Sequence, residues 1–508
     1  MLFGLAVAVL LAAYAAPHAQ SPPSPTGFGA PSQSLVIRNV TLVDGTGAAA
    51  RPGMTVVVTG NRITAVGGSA AVPQSAQVVD GTGKFLMPGL WDMHVHPRGE
   101  IAVPRFNTYG DVLLLANGIT GVRIMAGLPQ FQKTQAAILA GEAFGPRIAM
   151  GSRNIDGLIP RQPLPPKFRD PAEEAEEWRS VNAGEIPRAF QVTNAAQAKA
   201  AVTEAKATGV EYVKIHNELT PEAYFAIAAE AKVQGLYLAG HVPAGVSVAM
   251  MSDTGTRSIE HWGGMLEGCS SREDELLKAA LAAVVLAPRE RGIRNQELRR
   301  MALDSYDAAR CAALAARLKR NNTWLSPTFM PGGGIKVQSE RGADLITYVP
   351  NPLRTRWQQQ AAAATEPPPP SAGDQELATR VAARNRDIVI VMKRGGVDFV
   401  AGTDSGGAWR IPGRSLHESL AEMNNFGLTP AEVIVAATSS SARLIKREKD
   451  VGTVQTGKLA DLVLLDANPL DAVANARRVT AVIANGRLFD RKALDGLLAQ
   501  LAATNATH

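Results

Sequence analysis

His94 and His96 stand two residues apart at the end of an apolar run, GLWDMHVH. In an extended strand that spacing puts both imidazoles on one face, aimed at a common point. Such a pair is either a metal-binding half-site or two histidines hydrogen-bonded in a polar core. Four more polar residues close apolar runs later in the chain: Lys214 in EYVKIH, His241 in LAGHVP, His261 in SIEHW and Asp404 in AGTDSG. A buried ammonium beside imidazoles is costly, so Lys214 either loses its proton, has its charge neutralised by chemistry, or pairs with a carboxylate. Neutral imidazole and carboxylate are ligands for zinc and related ions. Taken together, His94, His96, Lys214, His241, His261 and Asp404 point to a metal centre more strongly than any one of them alone. His216 lies two after Lys214, on the same strand face, and reads as a substrate-binding residue or a polar rim residue. His417, in SLHESL at the start of a helix, reads as structural, and His18 and His508 lie in the tails.

The elements that must position these groups alternate. From about Phe85 to Ser441 apolar strands are interleaved with alanine-rich helical stretches such as 221–234 and 308–320. The candidate strands are GLWDMHVH, GITGVRIM, GPRIAMGS, EYVKIH, LYLAGHV, RSIEHW, TWLSPTF and VDFVAGTD. Strands apolar throughout, separated by helices, predict a parallel sheet covered on both faces. Eight of them with polar residues at their C-terminal ends predict an α/β (β/α)8 TIM-like barrel, whose chemistry sits at those ends. A doubly wound sheet has less support, because no G-x-G-x-x-G follows a first strand. Short β-branched runs at both chain ends predict a small β-sandwich side domain built from the two. The expected layout is a signal peptide over 1–19, a Pro/Ser-rich linker over 20–34, the side domain over 35–84 and 449–490, the barrel over 85–448, and a C-terminal tail over 491–508. The stretches 157–188 and 330–387 are insertions whose fold the pattern does not reveal.

This constellation resembles the amidohydrolase superfamily, in its imidazolonepropionase- and prolidase-like branch. The resemblance runs from Leu35 to Asp490, through VDGTG, MPGLWDMHVHP, LLLANGITGVR, EYVKIHNELTPEAY, AGHVPAGVS, SIEHW, TWLSPT, AGTDSG and GKLADLVLLDANPL. It implies a hydrolase acting on carbon–nitrogen bonds, with two divalent ions, zinc by preference, and a metal-activated bridging hydroxide. By the same resemblance His94 and His96 bind the more buried ion with Asp404, and His241 and His261 bind the second. Lys214 matches the lysine whose CO2-derived carbamate bridges both ions. Asp404 matches the acid that takes the proton of the attacking water and passes it to the leaving nitrogen. The pattern departs in two places. Met125 stands where relatives continue into an aspartate, and His216 where an aromatic is expected. The implied substrate is a small amide, a dipeptide-like molecule or a cyclic amide, and Arg153, Arg410 and Arg414 are candidate clamps for a carboxylate on it. Two alternatives remain: a non-catalytic barrel without metal, and a single-metal deaminase. The latter is disfavoured because Val242, Pro243, Ala244 and Gly245 follow His241, with no acid among them.

Composition bounds the rest. With 46% apolar and 19% charged residues the chain has ample material for a core. An excess of 52 basic over 46 acidic residues is thin over 508 positions and forms no long basic run, which argues against nucleic-acid binding. Residues 1–16 carry a short apolar stretch followed by Pro17 and polar, proline-rich chain, the layout of a secretory signal although no Lys or Arg precedes it. An uncleaved membrane tether and a cytoplasmic protein with an apolar N-terminus are the other readings. Export predicts a periplasmic or secreted protein with no membrane span once processed; a homo-oligomer is compatible with it. Cys269 and Cys311 are the only cysteines, so export also predicts that they pair.

Overall fold

The computed structural model describes residues 34–96, 108–157, 189–364 and 371–507. The expected signal peptide, most of the linker, nearly all of the first insertion, His18 and His508 lie outside them. Near the N-terminus, β1 (Leu35–Leu42), β2 (Arg51–Thr59), β3 (Arg62–Gly67), β4 (Gln77–Asp80) and β5 (Phe85–Pro88) form short strands. The parallel strands follow: β6 (Leu90–Val95), β7 (Ile119–Ile124), β8 (Arg147–Met150), β9 (Asn154–Asp156) and β10 (Ala189–Gln191). After these come β11 (Tyr212–Ile215), β12 (Tyr237–Gly240), β13 (Thr256–Glu260) and β14 (Trp324–Ser326), and the chain ends with β15 (Leu462–Leu465), β16 (Val479–Ala484) and β17 (Arg487–Asp490).

Every residue of β6 and of β7 is buried, the burial expected of strands covered on both faces. β6, β7 and β8 pair in parallel, as do β11, β12, β13 and β14. The two sets meet where Gly151 bridges Tyr212 and Ser152 N–H donates to Tyr212 O at 2.9 Å. On the other side, residues 398–405 bond both neighbours: Val400 N–H donates to Leu325 O (2.9 Å), and Met93 N–H donates to Ala401 O (2.8 Å). Asp404 N–H then donates to His94 O and His96 N–H to Ser405 O, each at 2.8 Å. The predicted strand VDFVAGTD is thus paired, but only through isolated bridges, and the backbone turns left-handed at Asp404 (φ 58°). The resulting fold is TIM-barrel-like.

Helices cover the outside for reasons visible in their sequences. Pro221–Val233 begins after Thr220, whose side chain accepts from Ala223 N–H, and has proline in its first turn, where no amide partner is lost. It buries Ala223, Tyr224, Ile227, Ala228 and Ala231 against the strands. Both chain ends share one sheet, in the order β17-β16-β15-β5-β1-β2-β3, with β4 on β1. The junction is β15 against β5, so Phe85–Pro88 belongs to this sheet by its hydrogen bonds. One apolar cluster joins Ile37, Val56 and Ile63 to Val454, Leu462 and Ile483 across that junction. The expected tail is instead a helix, Arg491–Thr507, with Leu494, Leu497 and Leu501 buried against the Tyr109–Ala116 helix and β16. Its leucines recur at helical spacing, a signal present in the sequence. The second insertion is helical too, over Ile335–Gly342, Asn351–Ala363 and Ala372–Arg394.

Candidate metal centre

The site is built where strands end. Asp92, His94 and His96 alternate along β6 and its last turn, so they share a face. His94 is fully buried; its Nδ1 lies 2.9 Å from Glu260 Oε2, and its Nε2 lies 3.3 Å from His96 Nε2. Asp404 Oδ1 lies 3.1 Å from His96 Nε2 and 3.6 Å from His94 Nε2. One ligand atom from each of His94, His96 and Asp404 fits within 4.8 Å of the others. A second pair stands beside them: His241 and His261 face each other with their Nε2 atoms 3.0 Å apart. His261 Nδ1 lies 2.7 Å from Thr328 Oγ1, and the His94 and His261 ring centres are 4.8 Å apart. Lys214, on β11, is fully buried, and its Nζ has no hydrogen-bond partner among the described residues.

The electrostatics follow from that geometry. Burial drives His94 and His241 far below the ordinary histidine value and His261 down to about 4, and the charge of Lys214 is the next cause for each. Burial likewise lowers Lys214 to about 8, against the pull of Glu260 and Asp404. For Asp404 burial alone would raise the pKa, but the hydrogen bond from His96 and the nearby His94, His96 and His261 outweigh it and hold the carboxyl well below its usual range. Held neutral by burial, His94, His241 and His261 can keep lone pairs inward. With Nδ1–H donating to Glu260, the neutral His94 ring keeps its lone pair on Nε2, as a metal-bound histidine does with an outer partner. Lone pairs facing lone pairs, an ionised carboxylate and an unpartnered buried nitrogen form a donor set that fits divalent cations.

Backbone strain gathers in the same place. His261 (φ 65°), Thr328 (φ 47°) and Asp404 (φ 58°) are non-glycine residues in the left-handed region, which persists where surrounding structure over-determines it.

An amidohydrolase family model matches residues 85–489. The chain belongs to the amidohydrolase family. Among curated relatives it is similar to an imidazolonepropionase of Shouchella clausii (strain KSM-K16), 35% identical over 117 residues, which is 20% of this chain and 25% of that protein. The match thus spans about a quarter of the relative's length. Among solved structures it is similar to a bottromycin amidohydrolase at 20% identity and a TM-score of 0.67, over 93% of this chain and 90% of that one. It is also similar to an Xaa-Pro dipeptidase with bound methionine, at 20% identity and a TM-score of 0.57, over 90% of this chain and all of that one.

Within this amidohydrolase, the six residues singled out from sequence converge at one end of the parallel strands, and others separate. His216 packs its ring 4.1 Å from that of His241, with Nδ1 2.9 Å from Asp156 Oδ2. Arg410 sits beside the site, its Nη1 2.7 Å from Asp404 Oδ2. Arg153 pairs with Glu204 and lies over the Phe190 ring, while Arg414 pairs with Asp344 and Glu418. Met125 is buried with Tyr212 and Ala239, so it belongs to the packing beneath the site rather than to a pocket wall. His417 is buried with Nε2 2.9 Å from Asn117 O, and burial holds it at about 4.

Sequence reasoning missed the support layer. Glu260 is buried; its Oε1 accepts from Arg123 Nη2 at 2.6 Å and from Ser258 Oγ. Arg123 is also buried, donates from Nε to Met93 O at 2.6 Å, and stays charged because Glu260 outweighs the desolvation. A signal existed: Arg123 is the one charge in GITGVRIM, and Glu260 sits between Ile259 and His261 in RSIEHW, whose other charge, Arg257, stands at its start. Strict alternation would send Glu260 and His261 to opposite faces, but the left-handed turn at His261 re-aims its ring.

Proposed function

We propose that this protein is a metal-dependent hydrolase of a carbon–nitrogen bond in a small amide, dipeptide-like or cyclic amide substrate, holding two divalent ions, zinc by preference. The observation that carries this reading is the convergence of four histidines and Asp404 around the buried Lys214, whose Nζ has no hydrogen-bond partner among the described residues. His94, His96 and Asp404 would hold one ion, and His241 and His261 the other. Lys214 would join CO2 at Nζ, releasing a proton and becoming a carbamate between them. That converts a buried cation, costly where it stands, into an anion beside two cations. When bound, such ions polarise a carbonyl oxygen and lower the pKa of water toward about 7. Asp404, ionised at neutral pH, accepts the proton of the attacking water and returns it to the leaving nitrogen. Glu260 keeps the His94 lone pair turned inward throughout, and His216, packed on the His241 ring, would meet the substrate.

The same reading extends to the whole chain. In the same reading the expected barrel over 85–448 closes as a (β/α)8 ring from Leu90 onward, and Phe85–Pro88 joins 35–84 and 449–490 in the β-sandwich side domain; the bridges of 398–405 to both neighbours support the first. Export is supported by the Cys269–Cys311 disulfide, since such bonds persist in oxidising compartments.

Elemental analysis of protein purified without chelator tests the centre. About two divalent ions per chain are expected, and a value well below one overturns the binuclear reading. Lys214→Ala should lose most of the metal and activity, and small carboxylates should restore part of both by occupying the carbamate position.

A further inference from the structure

Two cavities share His96 and Gly406 on their walls. The larger, about 450 Å³, opens beside the metal centre and is lined by Asp404 and Arg410 and, from the helix Ile335–Gly342, by Ile335 and Gln338. The smaller, about 40 Å³, is lined by Val95 of β6, Val122 and Ile124 of β7, Ile148 of β8, and Leu114 and Phe131 of the helices Tyr109–Ala116 and Pro129–Ala140. All six are buried and belong to one apolar cluster. Val95 stands between His94 and His96, and Val122 and Ile124 flank Arg123, so these three point to the face of the strands opposite the ligands. The smaller cavity thus lies behind the strands, between them and the two helices. It reaches the metal side only at the end of β6, where His96 and Gly406 stand.

Of the polar groups on its rim, Thr108 and Asp111 serve each other: Thr108 N–H donates to Asp111 Oδ2 (2.9 Å), and Asp111 N–H donates to Thr108 Oγ1 (3.2 Å). His96 turns its Nε2 to His94 and Asp404. A cavity with such walls stays dry and takes apolar guests. Left empty, it forfeits contacts that a close-packed interior would have, and a guest restores them. At about 10–15 Å³ per water, its volume takes roughly three or four heavy atoms, the size of an isopropyl or isobutyl group. Resting on the hydrolase reading above, His96 holds an ion at which the scissile amide lies, so a substituent next to that amide is within reach of the opening. We infer that the smaller cavity is a subsite for a branched apolar substituent of the substrate, while the polar remainder lies in the larger one. The enzyme therefore selects amides that carry an isopropyl- or isobutyl-sized group beside the scissile bond over those with a methyl or a hydroxylated group there.

The test uses the zinc-loaded full-length protein with two series of amides. One varies the acyl side, as p-nitroanilides of acetic, isobutyric, isovaleric and lactic acid. The other varies the amine side, as acetamides of methylamine, isopropylamine, isobutylamine and ethanolamine. In one series a branched member should exceed the methyl member by about 10- to 20-fold in kcat/KM for two added carbons, the effect of burying two methylenes. It should exceed the hydroxylated member of similar size as well. Leu114→Phe and Thr134→Leu add bulk to the cavity from its two helices. Either variant, folded by circular dichroism, should abolish the branched preference while metal content and turnover of the methyl members stay unchanged. Xenon-pressurised crystals give a readout that needs no turnover, with a xenon site among Leu114, Phe131 and Ile148 in the unmodified protein and none in the filled variants. Equal rates across both series, or a branched preference that survives both variants, overturns the subsite. A zinc-loaded protein that cleaves no amide, yet takes up xenon there and binds isobutyramide more tightly than acetamide and lactamide, overturns the hydrolase reading and leaves the subsite standing. Without turnover, the absence of both xenon and that difference in affinity overturns the subsite too.

Discussion

Asp404 is asked to do several things at once. It meets His94 and His96 on one oxygen and Arg410 on the other, from a left-handed backbone position at the end of the last parallel segment. Replacing it with asparagine keeps an oxygen for a metal and removes the proton acceptor. Asp404→Asn should therefore lower kcat by about 100-fold or more while retaining much of the metal. Steady-state kinetics with parallel metal analysis check this, and near-normal turnover would refute the proton-transfer role. Glu260 acts at one remove, through His94 and Arg123. Glu260→Gln keeps the volume and an acceptor for His94 but leaves Arg123 buried without its counter-charge. Affinity for a divalent metal should fall about 10- to 100-fold, the usual effect of losing an outer partner of a ligand. Stability should fall as well, by roughly 3–5 kcal/mol for a broken buried pair. Chelator competition and calorimetry measure the two effects separately.

Among the elements, the segment after Ala401 decides whether the centre forms. Residues 404–407 are held against the end of β6 by the Asp404–His94 and His96–Ser405 backbone bonds. Gly406 (φ 109°) makes that approach possible, because a Cβ there would collide with the carbonyl of His96 and its backbone conformation is one that L-residues avoid. Gly406→Ala should push Asp404 away from His94 and His96. The expected result is a folded protein, by circular dichroism, with a reduced metal-to-protein ratio. A variant that loads metal normally would mean that the 404–407 segment is not held as tightly as its contacts imply. The helix Ile335–Gly342 acts on the opposite side, by supplying the cavity wall rather than the ligands.

At the scale of the whole molecule, contacts distant in sequence tie the ends and the outside together. β15 pairs with β5 across the length of the chain, and the C-terminal helix buries three leucines against the Tyr109–Ala116 helix and β16. Cys269 and Cys311 are joined 42 residues apart, closing the loop that carries the helices Glu273–Ala283 and Pro288–Asp304. Chain entropy gives such a closure about 4 kcal/mol. Reduction should lower the thermal midpoint by a few degrees, and intact mass after thiol alkylation should show no labelled cysteine before reduction and two after it. Two labelled cysteines in non-reduced protein recovered from the periplasm would refute the bond. Among the described residues no helix is long and apolar enough to cross a membrane.

The strand positions and the six converging residues were legible in the sequence for a physical reason. Strands covered on both faces must be apolar along their length, so a histidine, lysine or aspartate at the end of one stands out against its neighbours. Arg123 and Glu260 stood out by the same rule, yet charges in two separate strands name no partner until the strands are placed side by side. The support layer was therefore a tertiary result. So was the separation of the three arginines: Arg153, Arg410 and Arg414 are alike as residues, and the packing pairs two of them with carboxylates away from the site and the third with Asp404 at the cavity. The left-handed turns at His261 and Asp404 belong to the same class, since nothing in their residue types requires them and the surrounding bonds impose them. Sequence determined which groups could do chemistry here; the tertiary structure decided which of them face one another.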